Sequence, residues 1–419
     1  MKSFLKVLAF IVGAVAFFCV GFTWKDIKNQ EAPSAESFQR LISAEKRVQL
    51  TPTQLFKNHY THISSSYYRP VDVEQLKYAG MNGLMASLGD PHTIFMEPRS
   101  AEEFSKDTRG ENEFVGVGAR LGRDPLGAKI MVVFSGGPAA LAGIKNGDVV
   151  AAVDGKPVGG VPVDEIVRKI RGKEGTVVTL DVIRGSNPKP IRIAIKRGRI
   201  NPPTADGVVI PGTKIGLVTV LQFSDPTPEQ FERAIHDLEE QGIKGLVIDL
   251  RNNPGGLLDR ATDMLSMFVA DKIVVKMRMK DGTEEVVRTA SDAVHGFKYP
   301  VIVLVNEDSA SAAEIFSGVL KDYKQATIVG EHTYGKASVQ NVFNLIDGSS
   351  AKITIARYYL PSGGDISRKV DEEGQYLKGG LQPDVKVSLG TDDGISLGDP
   401  KADPQLAKAI EVIKGKGGG

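Results

Sequence analysis

The sequence predicts a multidomain α/β protein: a core of alternating strands and helices on a largely parallel sheet, an inserted β-rich domain, and a helical amino-terminal segment. Three observations carry this expectation. Apolar runs at 245–250 and 301–305 are short and unbroken, and each passes through small and polar residues into a helix-like pattern, as strands buried on both faces do. Between 113 and 198 the texture changes to short β-rich runs broken by glycine. Before that, Gln39, Leu41, Ile42 and Val48 fall in one amphipathic run, and Phe56, Tyr60, Ile63, Tyr67 and Tyr68 in another. At 419 residues the chain exceeds what one core usually covers. The expected divisions are 1–24, 25–112, 113–198, 199–390 and 391–419.

Composition narrows the function. Lys and Arg number 52 against 51 Asp and Glu, so no global field points to nucleic acid. The only cysteine is Cys19, which rules out an intrachain disulfide and a thiol nucleophile in the body of the chain. None of the six histidines forms H-E-x-x-H; His59 and His62 can share a helical face, but no third metal ligand is evident beside them. At the amino terminus, Lys2 and Lys6 precede an uncharged run from Val7 to Trp24. That run is long for a signal peptide and close to the ~20 residues that span a bilayer. It addresses the chain to a membrane, with the body exported to a bacterial periplasm or cell envelope and anchored by residues 7–24; Cys19-Val20-Gly21 leaves a cleaved form open.

Taken in order, 25–112 reads as a helical pairing element, open to a second copy of the chain or to a regulatory protein. In the core, Ile215 to Leu221 is a strand. Thr227-Pro228-Glu229-Gln230 then offers an N-cap Thr, a proline at the first helical position and a Gln closing a capping box, ahead of Phe231, Ala234, Ile235 and Leu238 at helical spacing. The strand 245–250 leads into Arg251-Asn252-Asn253-Pro254-Gly255-Gly256 and a helix over 257–269; a polar β-prone stretch follows, then the strand 301–305 and Ser309-Ala310-Ser311. Right-handed crossovers between parallel strands would open both loops on one sheet edge, where active sites of open α/β sheets gather.

Ser311 with Glu314 fits S-x-x-E, the pattern of a helix cap, and capping serines far outnumber catalytic ones. A serine at a strand-to-helix turn is also where acyl-transfer enzymes present a nucleophile. Gly255 and Gly256, facing it across the edge, supply unencumbered N–H groups for an oxyanion hole. Two bases compete. His332 is the nearest histidine; Lys336 must lose its charge, a fall from ~10.4 to roughly 7–8 that burial can supply. Tyr334, Gly335, Ala337 and Val339 suit such burial, and the Gln340 amide can orient an amine without keeping it charged.

The β-rich stretch carries G-P-A-A-x-A-G-x-x-x-G-D-x-V from Gly137 to Val150 and resembles a PDZ domain. Its Phe114-Val115-Gly116-Val117-Gly118 loop would converge backbone N–H groups on a carboxylate beside a strand edge that accepts a peptide. The partner implied is a protein substrate with an accessible C-terminus.

Five motifs then share one resemblance: Leu88-Gly89-Asp90-Pro91-His92; Asp249 to Leu258; Ser309 to Ile315; Gly330-x-x-Thr333-Tyr334-Gly335-Lys336-x-x-Val339-Gln340; and Tyr358 to Gly364 with Leu381-Gln382-Pro383-Asp384-Val385. Together they resemble the carboxy-terminal processing proteases of the tail-specific type, PDZ-containing serine endopeptidases with a Ser-Lys dyad. The resemblance implies Ser311 as nucleophile, Lys336 as general base, Gln340 as its orienting partner, and oxyanion donors from Gly255, Gly256 and the Ala312 backbone. It implies no metal and no cofactor. Ala313 and Gly364 depart from the family pattern, and 367–380 is longer and more charged than usual. Arg171, in the turn after the PDZ helix, is a candidate relay of peptide occupancy. The rival readings are an inactive PDZ scaffold and an acyl-CoA enzyme of the crotonase class, the latter disfavoured by the PDZ pattern and the export segment.

Overall fold

A computed structural model describes residues 50–417 apart from 112, 135, 146, 186, 372, 374 and 390–396. The expected export segment at 1–24 and the amphipathic run at 39–48 lie outside the described residues. Among the described residues no helix is long and apolar enough to cross a membrane. The chain divides into two compact units between Ala79 and Gly80.

Two helices come first, α1 (Pro52–Ser66) and α2 (Val73–Ala86). Thr51 and Gln54 close a capping box at the start of α1, with Pro52 inside the first turn. None of the α1 side chains is buried, and Phe56, Ile63, Tyr67 and Tyr68 are exposed. Next come β1 (Ile94–Met96) and α3 (Pro98–Arg109), the latter ended by Gly110 in the left-handed region.

The β-rich domain contains β2 (Phe114–Gly116), β3 (Ala119–Asp124), β4 (Gly127–Val133), α4 (Pro138–Leu141), β5 (Val149–Val153), β6 (Lys156–Pro157), α5 (Val163–Ile170), β7 (Val177–Arg184), β8 (Asn187–Lys196) and β9 (Gly198–Ile200). Its sheet has the order β3-β4-β5-β7-β8, with β6 on β5, and closes over a separate core that includes Ile130, Val150, Ile166, Val178, Leu180 and Ile195. An independent core is what marks it as a domain.

The remainder runs β10 (Ala205–Val209), β11 (Ile215–Val220), α6 (Thr227–Glu240), β12 (Gly245–Asp249), α7 (Leu258–Ser266), β13 (Ile273–Met279), β14 (Glu284–Arg288), β15 (Val301–Val305), α8 (Ala312–Asp322), β16 (Thr327–Gly330), β17 (Ser338–Asn344), β18 (Ser350–Tyr359), β19 (Lys369–Val370), β20 (Tyr376–Lys378), β21 (Val385–Lys386) and α9 (Pro404–Gly415). The main sheet is ordered β10-β11-β12-β15-β16-β21 and is parallel from β11 onward, as expected. Strand residues alternate between two cores. Val218, Ile248 and Val303 meet Phe231, Leu265 and Phe316 of α6, α7 and α8, while Leu217, Val247 and Ile302 meet Leu406, Ile410 and Ile413 of α9. Burial on both faces explains why these strands read as unbroken apolar runs.

A second, antiparallel sheet is ordered β1-β18-β13-β14, with β17 also on β18. Ile94, Phe95 and Met96 pair with Lys352, Ala351 and Ser350, so residues just ahead of the β-rich domain already belong to this sheet. The capping box expected at Thr227 is not built. Thr227 lies inside α6, and Gln230 Oε1 instead accepts from the N–H groups of Thr204 (2.7 Å) and Ala205 (3.1 Å). A neighbouring strand offered better-placed donors than the helix's own first turn.

Candidate active site

Because β12 and β15 are adjacent and parallel, the loops after them leave one edge side by side. Asn252 N–H donates to Asn306 Oδ1 at 2.9 Å, and Asn306 Nδ2 to Asn252 Oδ1 at 2.7 Å. The fully buried Ser309 hydroxyl donates to the Leu250 carbonyl (2.8 Å) and accepts from Asn306 N–H (3.0 Å). The first serine of S-A-S is thereby a staple between the two loops. The second, Ser311, is left half-buried at the head of α8. Its backbone lies at φ 54°, ψ −117°, a conformation rare for a residue with a Cβ and characteristic of strained turns that present a reactive group.

Glu314 holds that turn. It forms the expected capping box with Ser311, whose N–H donates to Oε2 at 2.8 Å. The same carboxylate reaches the next loop, where Oε2 accepts from Lys336 N–H (2.9 Å) and Oε1 from Gly335 N–H (2.7 Å) and the Thr333 hydroxyl. One fully buried carboxylate thus fixes the backbones of both dyad candidates. Burial pushes its pKa up, and the four donors pull it back. The S-x-x-E pattern announces only the cap; the partners in 333–336 carry no sequence signal of their own.

Lys336 is half-buried, and its pKa is lowered from the ordinary lysine value, first by desolvation and then by the Lys352 ammonium, while Glu314 and Asp90 oppose the fall. The fully buried Tyr358 hydroxyl donates to the Lys336 carbonyl at 2.6 Å, and the Ser311 carbonyl oxygen lies 3.4 Å from the same hydroxyl, a second contact between the loops. Ser311, Ala312, Lys336 and Gln340 line one cleft of about 410 Å³, walled by apolar side chains of which Leu257, Ile315 and Val339 are examples. Among the described residues the Gln340 side chain bonds through Nε2, to Ser338 Oγ (2.8 Å) and Thr354 Oγ1 (3.2 Å), so its amide oxygen is the atom left to accept from an amine.

Gly255 and Gly256 line the same cleft. At Gly255, φ is 100°, and a Cβ there would lie 2.7 Å from the Ala310 carbonyl oxygen, 2.8 Å from Ser311 Cβ and 2.9 Å from Ala312 N. Only glycine lets the turn approach the serine this closely. Gly255 N–H is engaged by Asn253 Oδ1 at 2.8 Å, which leaves Gly256 N–H as the turn's candidate donor.

Comparisons with known proteins identify the family. Residues 214–387 match Peptidase family S41, 129–184 a PDZ domain, and 10–100 the N-terminal domain of activating protease CtpB. Over 364 residues the chain is 37% identical to a CtpA-like serine protease of Staphylococcus haemolyticus, covering 84% of this chain and 69% of that one. The chain belongs to the S41 peptidases. It is a serine-type peptidase of the C-terminal processing kind. A CtpA-like relative from Staphylococcus aureus is 36% identical over 333 residues, and this chain spans 64% of its length. Among solved structures, an S41 protease of Bacteroides fragilis shares the fold at TM-score 0.54 and 16% identity, over 85% of this chain and 96% of that one. The photosystem II D1 C-terminal processing protease is 29% identical at TM-score 0.45, over 80% and 88%.

Other expected site residues lie elsewhere. His332 stacks on Tyr376 with ring centroids 4.0 Å apart and does not line the dyad cleft. His59 and His62 are exposed on α1. Phe114, Val115 and Gly116 pair with Ile200, Arg199 and Gly198, while the Val117 and Gly118 carbonyls accept from Ala139 and Phe134. Arg171 is exposed and caps α5 through its N–H to the Val167 carbonyl at 2.9 Å. A different arginine joins the PDZ domain to the protease core. Arg120 on β3 donates to Thr219 Oγ1 of β11 at 3.3 Å, with the Asp249 and Asp206 carboxylates acting on it. No local motif marks it.

Proposed function

We propose that this peptidase is an endopeptidase that captures the C-terminal region of a protein substrate on its PDZ domain and cleaves it with a Ser311–Lys336 dyad. The observation that carries the reading is the Glu314 carboxylate, which ties the Ser311 and Lys336 backbones into one cleft. Neutral Lys336 accepts the Ser311 proton as Oγ attacks the scissile carbonyl. The oxyanion forms against the Gly256 and Ala312 N–H groups, and Lys336 returns the proton to the departing amine. Water then takes the place of the amine and releases the acyl group by the reverse proton path. Gln340 orients the amine through its amide oxygen. The route uses no metal or cofactor. The basic start and apolar run at 1–24 support export, with the chain anchored in a bacterial cytoplasmic membrane and its body in the periplasm or cell envelope.

The test is cleavage of an unfolded protein with an apolar C-terminus by wild type, Ser311→Ala and Lys336→Ala. Loss of turnover in both variants with peptide binding retained is expected. Equal cleavage by all three would end the dyad assignment, and peptide binding without cleavage even in wild type would favour the scaffold.

A further inference from the structure

The dyad cleft contains a second lysine that the reaction above does not use. Lys352 of β18 is paired with Val342 of β17, and two residues along Thr354 is paired with Gln340. Cross-strand partners and residues two apart share a sheet face. This register puts Lys352 on the face that carries Gln340, and both line the cleft with Ser311 and Lys336. Lys352 is half-buried, and burial lowers its own pKa; against this its Nζ lies 5.1 Å from the centroid of the Phe104 ring, and that contact and the Asp90 carboxylate favour the ammonium form. Among the described residues it joins no ion pair; the Asp90 carboxylate, which acts on it through space, is engaged by His92 N–H (3.0 Å) and the Thr93 hydroxyl (2.7 Å).

A half-buried cation that joins no ion pair among the described residues costs stability and calls for a function. We propose that Lys352 is a positioning residue for catalysis: its fixed positive charge keeps the Lys336 amine unprotonated and able to accept the Ser311 proton. The inference rests on the dyad reading. Two amines sharing a cleft cannot both be charged cheaply, and the aromatic face assigns the charge to Lys352. Desolvation is the larger influence lowering Lys336 and the Lys352 ammonium the next. Among the described residues, the other titratable groups facing this space are Asp90 and His92 before β1, Asp107 on α3, Asp308 and Glu314 on either side of Ser311, Tyr334 in the loop before Lys336, and Tyr358 on β18.

The experiment is the pH profile of kcat/KM for a quenched peptide without ionisable groups, in wild type, Lys352→Gln and Lys352→Arg. Activity rises with pH as Lys336 loses its proton, so removing the neighbouring charge moves that acid limb upward. A like charge across a cleft corresponds to about 0.5–1 pH unit, or roughly three- to ten-fold lower kcat/KM below the limb. Lys352→Arg keeps the limb in place. A uniform loss at every pH, a rise in KM alone, or an equal shift in Lys352→Arg would overturn the proposal. Titration of the Lys336 Nζ resonance in full-length Ser311→Ala protein, with and without Lys352→Gln, gives a readout that needs no turnover, and an unmoved midpoint there also overturns it. Full activity in Lys336→Ala would instead sink the dyad, whatever Lys352 does.

Discussion

Glu314→Gln is the sharpest test of how the cleft is held together. The carboxylate accepts from four donors, two on each oxygen. An amide supplies one accepting oxygen and one N–H₂. The less costly orientation keeps the oxygen on the Ser311 and Lys336 N–H groups and turns the N–H₂ towards Thr333 and Gly335. There the Thr333 hydroxyl can reverse and accept, although it already accepts from Leu381 N–H at 2.7 Å. Gly335 N–H is left facing a donor. One buried N–H without a partner costs about 1–3 kcal/mol, and the retained bonds lose their charge assistance, so a destabilisation of roughly 2–4 kcal/mol is expected. The variant should fold, melt several degrees lower, and lose at least about ten-fold in kcat because the Ser311 turn relaxes. Its acid limb should move down, since the Glu314 charge raises the Lys336 pKa. Calorimetry measures the melting shift and steady-state kinetics across pH the turnover and the limb, while retained PDZ-peptide binding checks that the variant folds. A melting temperature within a degree of wild type together with wild-type kcat would refute the reasoning.

Three further outcomes are expected. Lys336→Met should raise the melting temperature near neutral pH: a lysine with a lowered folded-state pKa binds fewer protons than the unfolded chain, so its contribution to stability grows as pH climbs towards ~10.4, and the advantage of the variant should shrink over that window. Gly255→Ala should cut turnover by about a hundred-fold or more while the PDZ domain still binds peptide, because the new Cβ would meet the backbone on either side of Ser311. Asp403→Ala should destabilise by about 3–5 kcal/mol in a denaturant titration, because the fully buried Arg251 guanidinium loses Nη contacts of 2.7 and 2.8 Å while Asp249 and Gln405 stay beside it.

Local chemistry was legible in the sequence and distant pairing was not. The S-A-S turn and N-N-P-G-G are visible within a few residues, but taken alone they read as a helix cap and a tight turn, and Lys336 as a solvated lysine; their placement on one sheet edge and the family resemblance single them out. The unbroken apolar runs 245–250 and 301–305 revealed strands buried on both faces, because burial on both faces removes the apolar–polar alternation. Thr227 and Gln230 show the limit, since a correct local pattern lost to Thr204 and Ala205 of another segment. Glu314 was visible only as a cap because its remaining partners lie in the Thr333–Lys336 loop. Arg120, Asp403 and Lys352 carry no motif; each acquires meaning from a neighbour that the fold delivers, Thr219, Arg251 and Gln340 respectively.

The features on which the proposed dyad depends are also those that a stable fold would avoid. Ser311 holds a conformation that few residues with a side chain adopt, Lys336 sits where an ammonium is poorly solvated, and Glu314 is a carboxylate without exposure. Separately each would be relieved by a small rearrangement of its loop. Together they constrain one another, because Glu314 cannot leave without orphaning the Ser311 and Lys336 N–H groups, and the Tyr358 hydroxyl lies against both carbonyls. The pKa of Lys336 is lowered first by desolvation and then by the Lys352 charge, while Glu314 and Asp90 oppose the fall. A scaffold that needed only to present a PDZ groove would have no use for that opposition, since neutral side chains in place of Glu314 and Lys352 would be cheaper to bury.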